Sequence, residues 1–302
     1  MYVVPFRRHH HLGGNVAACL HCSSARLGWP PGSLALDCAD FLLPMSTPSP
    51  LSPASGPGST GAAEQTTIPI FIGYDPRERA ATNVLIDSLY QHSSMPLAIT
   101  PIVTPQLERQ ELFRRERDPK QSTAFSFTRF LVPYLMGYRG WAVFMDCDML
   151  CRGDIAELWA LRDEQYAVQC VQHTHVPGET VKFLGEVQSA YPKKNWSSLM
   201  LLQCARCTAL TPDYVNTATG LELHRFHWLE GDQEIGPLPD RWNHLVDVQP
   251  APAASEEAAA EASPTLLHWT LGGPWFREQR TMGGPLAAEW FGAREEAMKL
   301  WD

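Results

Sequence analysis

Apolar and polar positions fall into short, differently spaced blocks from Ile68 onward in this 302-residue chain. IPIFIGYD, beginning at Ile68, is a run of branched and aromatic residues closed by Gly-Tyr-Asp, the pattern of a buried strand that opens into a loop. Helical spacing follows at once. In RERAATNVLIDSLYQHS the apolar positions Ala81, Val84, Leu85 and Leu89 recur on one face. PLAITPIVT predicts a second strand, and ELFRRERD a charged connection. FTRFLVPYLMGY predicts another helix, with Pro133 imposing a kink or an early break because its ring removes a backbone donor. WAVFMD, YAVQCVQ and SSLMLLQ supply three further strands. Strands alternating with helices predict an α/β fold with a mostly parallel central sheet flanked by helices.

The rest of the chain lacks this patterning. Residues 1–66 are rich in Ser, Pro, Gly and Ala and predict a disordered tail, so the ordered body is a single domain over 67–302. The first 36 residues hold Arg7, Arg8 and Arg26 and no acid, which suits an organelle transit peptide. A translation start at Met45 explains the tail equally well, and both readings stay open. Within the body, the alanine-rich, low-complexity stretch at 250–264 predicts an insertion just ahead of LLHWTLGGPWF. No internal repeat is evident.

Composition narrows the classes. The formal charge of −9 arises entirely beyond the tail, and an acidic body argues against a nucleic-acid partner. No stretch approaches the roughly 18 to 20 apolar residues of a membrane span, which predicts a soluble protein of the cytoplasm or an organelle. The cysteines follow no disulfide framework and read as reduced thiols. CLHC at 19–22 and CARC at 204–207 raise zinc, but pairs in such different contexts do not resemble one structural zinc unit. Buried free cysteine is the better reading for Cys204 and Cys207.

VFMDCDMLCRGD carries the chemistry. If its apolar run is a strand, Asp146 and Asp148 project to one side and Cys147 to the other. Two carboxylates aimed at one place repel, and Mn²⁺ or Mg²⁺ removes that repulsion. In open α/β sheets ligands gather at the carboxyl ends of strands, where this pair would stand. His173 and His175 repeat the period-two spacing and offer either a second metal pair or the lining of a pocket.

An apolar strand ending in Asp-x-Asp, preceded by Thr128-Arg129-Phe130 and Pro133-Tyr134-Leu135, resembles the GT-A fold, Rossmann-like glycosyltransferases, in particular the family 8-like group. IPIFIGYDPRE, CRGDIAELW, KNWSSLMLLQC, IGPLPDRWNHL and LHWTLGGPWF agree in order, so the resemblance spans about 68 to 277. It implies a metal-dependent, retaining transferase that takes a sugar from a nucleoside diphosphate, UDP above others. Asp146, Asp148 and His268 are then the metal ligands. Gly73, Tyr74, Asp75, Arg129, Ser197, Ser198, Lys194, Gly272, Gly273 and Trp275 would bind the donor. Asn195, Asp232 and Gln233 would face the transferred sugar as catalytic residues.

One departure stands out. Many family 8 enzymes carry a lysine before the Pro-Trp to pair with the diphosphate, whereas this chain has Gly273, leaving Lys182, Lys193 or Lys194 to take that part. Two rivals remain in view: a haloacid-dehalogenase-like phosphatase using Asp146 as nucleophile, and an inactive protein that binds sugar nucleotides without turning them over. The phosphatase normally places its Asp-x-Asp strand first in the domain, and here a strand and a helix precede it.

Overall fold

Strand β1, Ile68–Gly73, occupies an inner place in a six-stranded sheet and is buried along almost its whole length, as its unbroken apolar run predicts. The computed structural model describes residues 65–118, 121–174, 193–250 and 263–299, all within the unit Gly61–Asp302. Nearly all of the proposed tail and of the 250–264 insertion therefore lie outside the described residues, as do His175 and Lys182. Gln65 already belongs to the body, exchanging two hydrogen bonds with the backbone of Trp141.

After β1 come α1 (Arg79–His92), β2 (Leu97–Ile102), α2 (Thr104–Arg109), α3 (Val132–Leu135), β3 (Trp141–Met145), β4 (Met149–Cys151), α4 (Ile155–Ala160) and β5 (Val168–Cys170). The second half holds β6 (Leu199–Gln203), α5 (Pro212–Thr217), α6 (Gly220–His224), β7 (Ile235–Pro237), β8 (His244–Leu245), β9 (Leu266–His268) and α7 (Pro285–Ala297). The sheet order is β2-β1-β3-β6-β5-β7. Every pairing is parallel except the two that β6 makes, with β3 and β5, so the sheet is mixed and mostly parallel as expected. A smaller sheet, β4-β9-β8, stands beside it.

Local physics accounts for most of these elements. In α1 the four expected apolar positions are all buried, together with Thr82 and Ser88, whose hydroxyls donate to backbone carbonyls one turn back. β2 alternates half-buried and exposed positions because it is an edge strand, and an edge also tolerates Pro101, which has no N–H to donate. The helix expected across FTRFLVPYLMGY is a 3₁₀ turn, Thr128–Leu131, followed by the single turn of α3. Pro133 stands at the start of α3, where a missing N–H does no harm. Thr211 caps α5, and Thr219 with Glu222 forms a capping box on α6.

The main core fills the space around the large sheet. A satellite core joins Val84 of α1 and Leu150 of β4 to Val246, Leu267, Trp269 and Trp290, with Trp275 packed against it. All five described cysteines are buried and none forms a disulfide with another described cysteine; Cys204 and Cys207 are buried as the small-hydrophobe reading expects. Burial pushes the Cys151 thiol up to about 11 and Cys204 up to about 12. Among the described residues no helix is long and apolar enough to cross a membrane.

Candidate metal centre

The carboxyl end of β3 delivers the acidic pair. Asp146 extends the ladder by one bond, its N–H donating to the Ser198 carbonyl at 2.9 Å, and the chain then turns through Cys147 and Asp148 into β4. Asp148 accepts from the N–H of Trp269 at 2.9 Å, and Met149 pairs with His268 in the antiparallel β4–β9 ladder. The last residue of β9 is thereby set beside the acids. One ligand atom from each of Asp146, Asp148 and His268 lies within 4.8 Å of the others, and all three residues are buried.

The strand expected through WAVFMDCD ends at Met145, so Asp146–Asp148 form a turn rather than an alternating strand; within it the Cys147 Sγ lies 3.5 Å from a carboxylate oxygen of Glu78. Glu78 is itself buried where α1 begins. Burial first, then the charges of Asp148 and Asp75, push its carboxyl well above the usual carboxylate range, although the Cys147 hydrogen bond opposes this.

Two carboxylates and an imidazole form a donor set suited to Mn²⁺ or Mg²⁺. The geometry fits such an ion. Oδ1 of Asp148 is buried with no hydrogen-bond donor among the described residues, and it lies 3.3 Å from Nε2 of His268. A carboxylate oxygen and a ring nitrogen facing each other at that distance can share a metal ion, or a hydrogen bond when Nε2 carries the ring proton. On the far side of the ring, Nδ1 of His268 is 2.9 Å from Oδ1 of Asn243. Asn243, fully buried just before β8, also reaches Oγ of Ser198 at 2.9 Å. Nothing in the local sequence pattern marks Asn243 or Glu78. WNHL offered an asparagine next to a core tryptophan, with nothing local to distinguish it.

Arg129 is buried against Asp146, with 3.0 Å between its guanidinium and Oδ1. It also donates to the Ser197 carbonyl at 2.8 Å. The arginine expected to reach a donor thus holds the first metal-site carboxylate. Ser197 Oγ contacts Nδ1 of His224 at 2.8 Å, and Ser198 Oγ donates to the Asn195 carbonyl at 2.6 Å. Asn195 has φ +66°, a left-handed conformation that asparagine tolerates. Lys194 is buried beside it.

Other expected site residues have structural engagements of their own. A Cβ on Gly73 would lie 2.2 Å from the Phe125 ring, so this glycine is covered by an aromatic side chain. Asp75 accepts from the N–H and side chain of Arg77 and from the N–H of Ala124. Burial pushes its carboxyl up, but these hydrogen bonds prevail and hold it below the usual range. Tyr74 accepts from Arg79 at 3.2 Å. Gly272, at φ +94°, meets a backbone requirement for glycine. A Cβ on Gly273 would lie 2.2 Å from the Trp275 ring, which packs edge-on against Trp269. Asp232 is largely exposed and pairs with Lys193, which also donates to the Arg225 carbonyl; Gln233 beside it is exposed.

His173 lies within the described residues, and its Nε2 is buried without a hydrogen-bond partner among them. Burial, then the neighbouring His268 and His244, push it down to about 4, so it is neutral at physiological pH. Its backbone carbonyl accepts from Trp196 Nε1 at 3.0 Å.

Sequence comparison finds an extended match: the chain is 47% identical over 220 residues to Protein CDI of Arabidopsis thaliana, covering 72% of this chain and 83% of that protein. The chain belongs to the Protein CDI family. No protein-family model matches it. Among solved structures, the apo form of the glycosyltransferase GlyE from Streptococcus pneumoniae TIGR4 superposes with a TM-score of 0.49 at 14% identity, over 78% of this chain and 61% of GlyE. The galactosyltransferase LgtC, in complex with donor and acceptor sugar analogues, superposes with a TM-score of 0.47 at 10% identity, over 78% of this chain and 98% of LgtC. The chain thus spans less than two-thirds of the length of GlyE.

Proposed function

We propose that this chain is a metal-dependent glycosyltransferase of GT-A type, which moves a sugar from a nucleoside diphosphate, UDP, to an acceptor hydroxyl with retention of configuration. One observation carries the reading: Asp146, Asp148 and His268 converge at the carboxyl end of a central strand with ligand atoms within 4.8 Å, and an oxygen of Asp148 has no donor of its own among the described residues. The ordered motifs across 68–277 supply the class of substrate.

In this proposal Asp146, Asp148 and His268 would hold Mn²⁺ or Mg²⁺, which would supply Lewis-acid stabilisation of the departing diphosphate. The protein's part is to hold the ligands still. Arg129 fixes the Asp146 carboxylate, and the β4–β9 ladder fixes His268 relative to Asp148. With glycine at 273, the diphosphate-pairing role is assigned to Lys194, which is buried next to Asn195. Asn195, Asp232 and Gln233 are assigned to the donor sugar, and Gly73, Tyr74, Asp75, Ser197, Ser198, Gly272 and Trp275 to the walls that enclose the donor. Among these, Asp75 acts by holding the Ala124 backbone beside the end of β1.

The test is turnover by the purified chain across a panel of UDP- and GDP-sugars, with and without Mn²⁺. The expected result is Mn²⁺-dependent release of UDP from one donor, abolished in Asp146→Asn and Asp148→Asn. Transfer that is unchanged in both variants would refute the reading. Phosphatase activity on simple phosphoesters that depends on Asp146, without sugar transfer, would assign the pair to the haloacid-dehalogenase chemistry instead.

A further inference from the structure

The hydrogen bonds behind His268 have only one consistent direction. A backbone carbonyl can only accept, so the 2.6 Å contact between Ser198 Oγ and the Asn195 carbonyl consumes the hydroxyl proton of Ser198. Toward Asn243, at 2.9 Å, Ser198 is therefore an acceptor, and Asn243 must present its Nδ2 amide hydrogens there. That orientation turns Oδ1 of Asn243 to His268, 2.9 Å from Nδ1. An amide oxygen also only accepts, so Nδ1 carries the proton. Neutral His268 is then left with its lone pair on Nε2, the nitrogen that faces Asp148 at 3.3 Å.

From this chain we propose that Asn243 is a positioning residue that locks His268 in the Nδ1–H tautomer and so presents Nε2 as a metal ligand beside Asp148. The inference deepens the metal-site reading and rests on it. Asn243 is fully buried, between Trp242 and the start of β8, so solvent does not scramble its orientation. Without Asn243, His268 is free to place its proton on Nε2, where it would pair with Asp148 and close the site to a cation. Ring-nitrogen partners of this type set the tautomer and basicity of histidine ligands, and their loss weakens metal binding roughly 10- to 100-fold.

Two measurements test this separately from the metal reading. The first needs no Asn243 variant. Long-range ¹H–¹⁵N correlation on the full chain, labelled at histidine and freed of metal with EDTA at mildly alkaline pH, reads the tautomer of His268, with the signal assigned by its absence in His268→Gln. A proton on Nδ1 supports the proposal; a proton on Nε2, or an even mixture, overturns it. The second is Mn²⁺ affinity by electron paramagnetic resonance. Asn243→Ala should bind roughly 10- to 100-fold more weakly than the wild type. Asn243→Asp, which keeps an acceptor oxygen toward Nδ1, should recover most of that loss. Equal affinity in all three proteins overturns the proposal. If the wild type binds no Mn²⁺ the metal reading fails, while the tautomer still decides whether Asn243 orients His268.

Discussion

The guanidinium of Arg129 lies 3.0 Å from Oδ1 of Asp146, with both side chains almost fully buried. The same guanidinium carbon is 5.2 Å and 5.1 Å from the ring centroids of Phe125 and Phe144, so the cation rests on aromatic faces as well as on a carboxylate. A charge pair this deep fixes the Asp146 side chain before any metal arrives. Removing one partner leaves the other largely desolvated without its counter-charge.

Arg129→Ala should therefore lower stability by about 3–5 kcal/mol, the usual consequence of breaking a buried pair. Urea unfolding reads this directly. The double variant Arg129→Ala/Asp146→Asn should lose less than the sum of the two single changes, because it leaves no unpaired charge. Mn²⁺ should restore part of the loss in Arg129→Ala and none in the double variant. Additive losses with no metal rescue would show that the pair is energetically idle.

Gly73 closes β1 directly beneath Phe125. A methyl group there would sit 2.2 Å from a ring atom of a phenylalanine that is itself fully buried. Overpacking of that kind costs about 1–3 kcal/mol. Gly73→Ala should lower the denaturation midpoint by a corresponding amount, and Phe125→Leu in the same background should recover part of it. A fully stable Gly73→Ala would mean that the end of β1 is looser than the packing shows.

His173 gives a pH signature with a definite sign. Its folded pKa of about 4 is below the ordinary value of 6.5, so the unfolded chain binds a proton that the folded chain refuses. Stability is complete above pH 6.5 and falls as the pH drops toward 4, with a slope approaching about 1.4 kcal/mol per pH unit. Unfolding free energies of wild type and His173→Gln, compared from pH 7 to 4, should converge toward the acid end of that window. Parallel profiles would show that the imidazole is solvated and titrates normally.

The buried cysteines predict a second kind of resistance. Cys151 at about 11 and Cys204 at about 12 hold almost no thiolate near neutrality, and Cys147, Cys170 and Cys207 are pushed up as well, mainly by burial. Iodoacetamide at pH 8, followed by peptide mapping, should leave all five unmodified in the native protein and modify them in urea. Rapid native alkylation of Cys204 or Cys207 would reopen the metal reading of CARC.

The amino-acid sequence by itself determined β1, α1, β3 and β6, because these follow from periodicities of two and 3.6 residues within a few neighbours, and it marked Asp146 and Asp148 as a pair, although a turn after β3 and not strand alternation brings them together. It also marked His268, but only through the motifs around it. Three features were decided by tertiary structure alone. The three-residue strands β4 and β9 are too short for any periodicity to show, and they form by pairing with each other and, for β9, with β8. Asp75 and Gly73, read as open to a donor, are engaged by Ala124 and Phe125, contacts that depend on where the 121–126 loop comes to rest. Asn243 reaches His268 across 25 residues of sequence and Ser198 across 45. A hydrogen bond between distant residues leaves no local pattern, because its energy depends on geometry that exists only once the sheets have assembled.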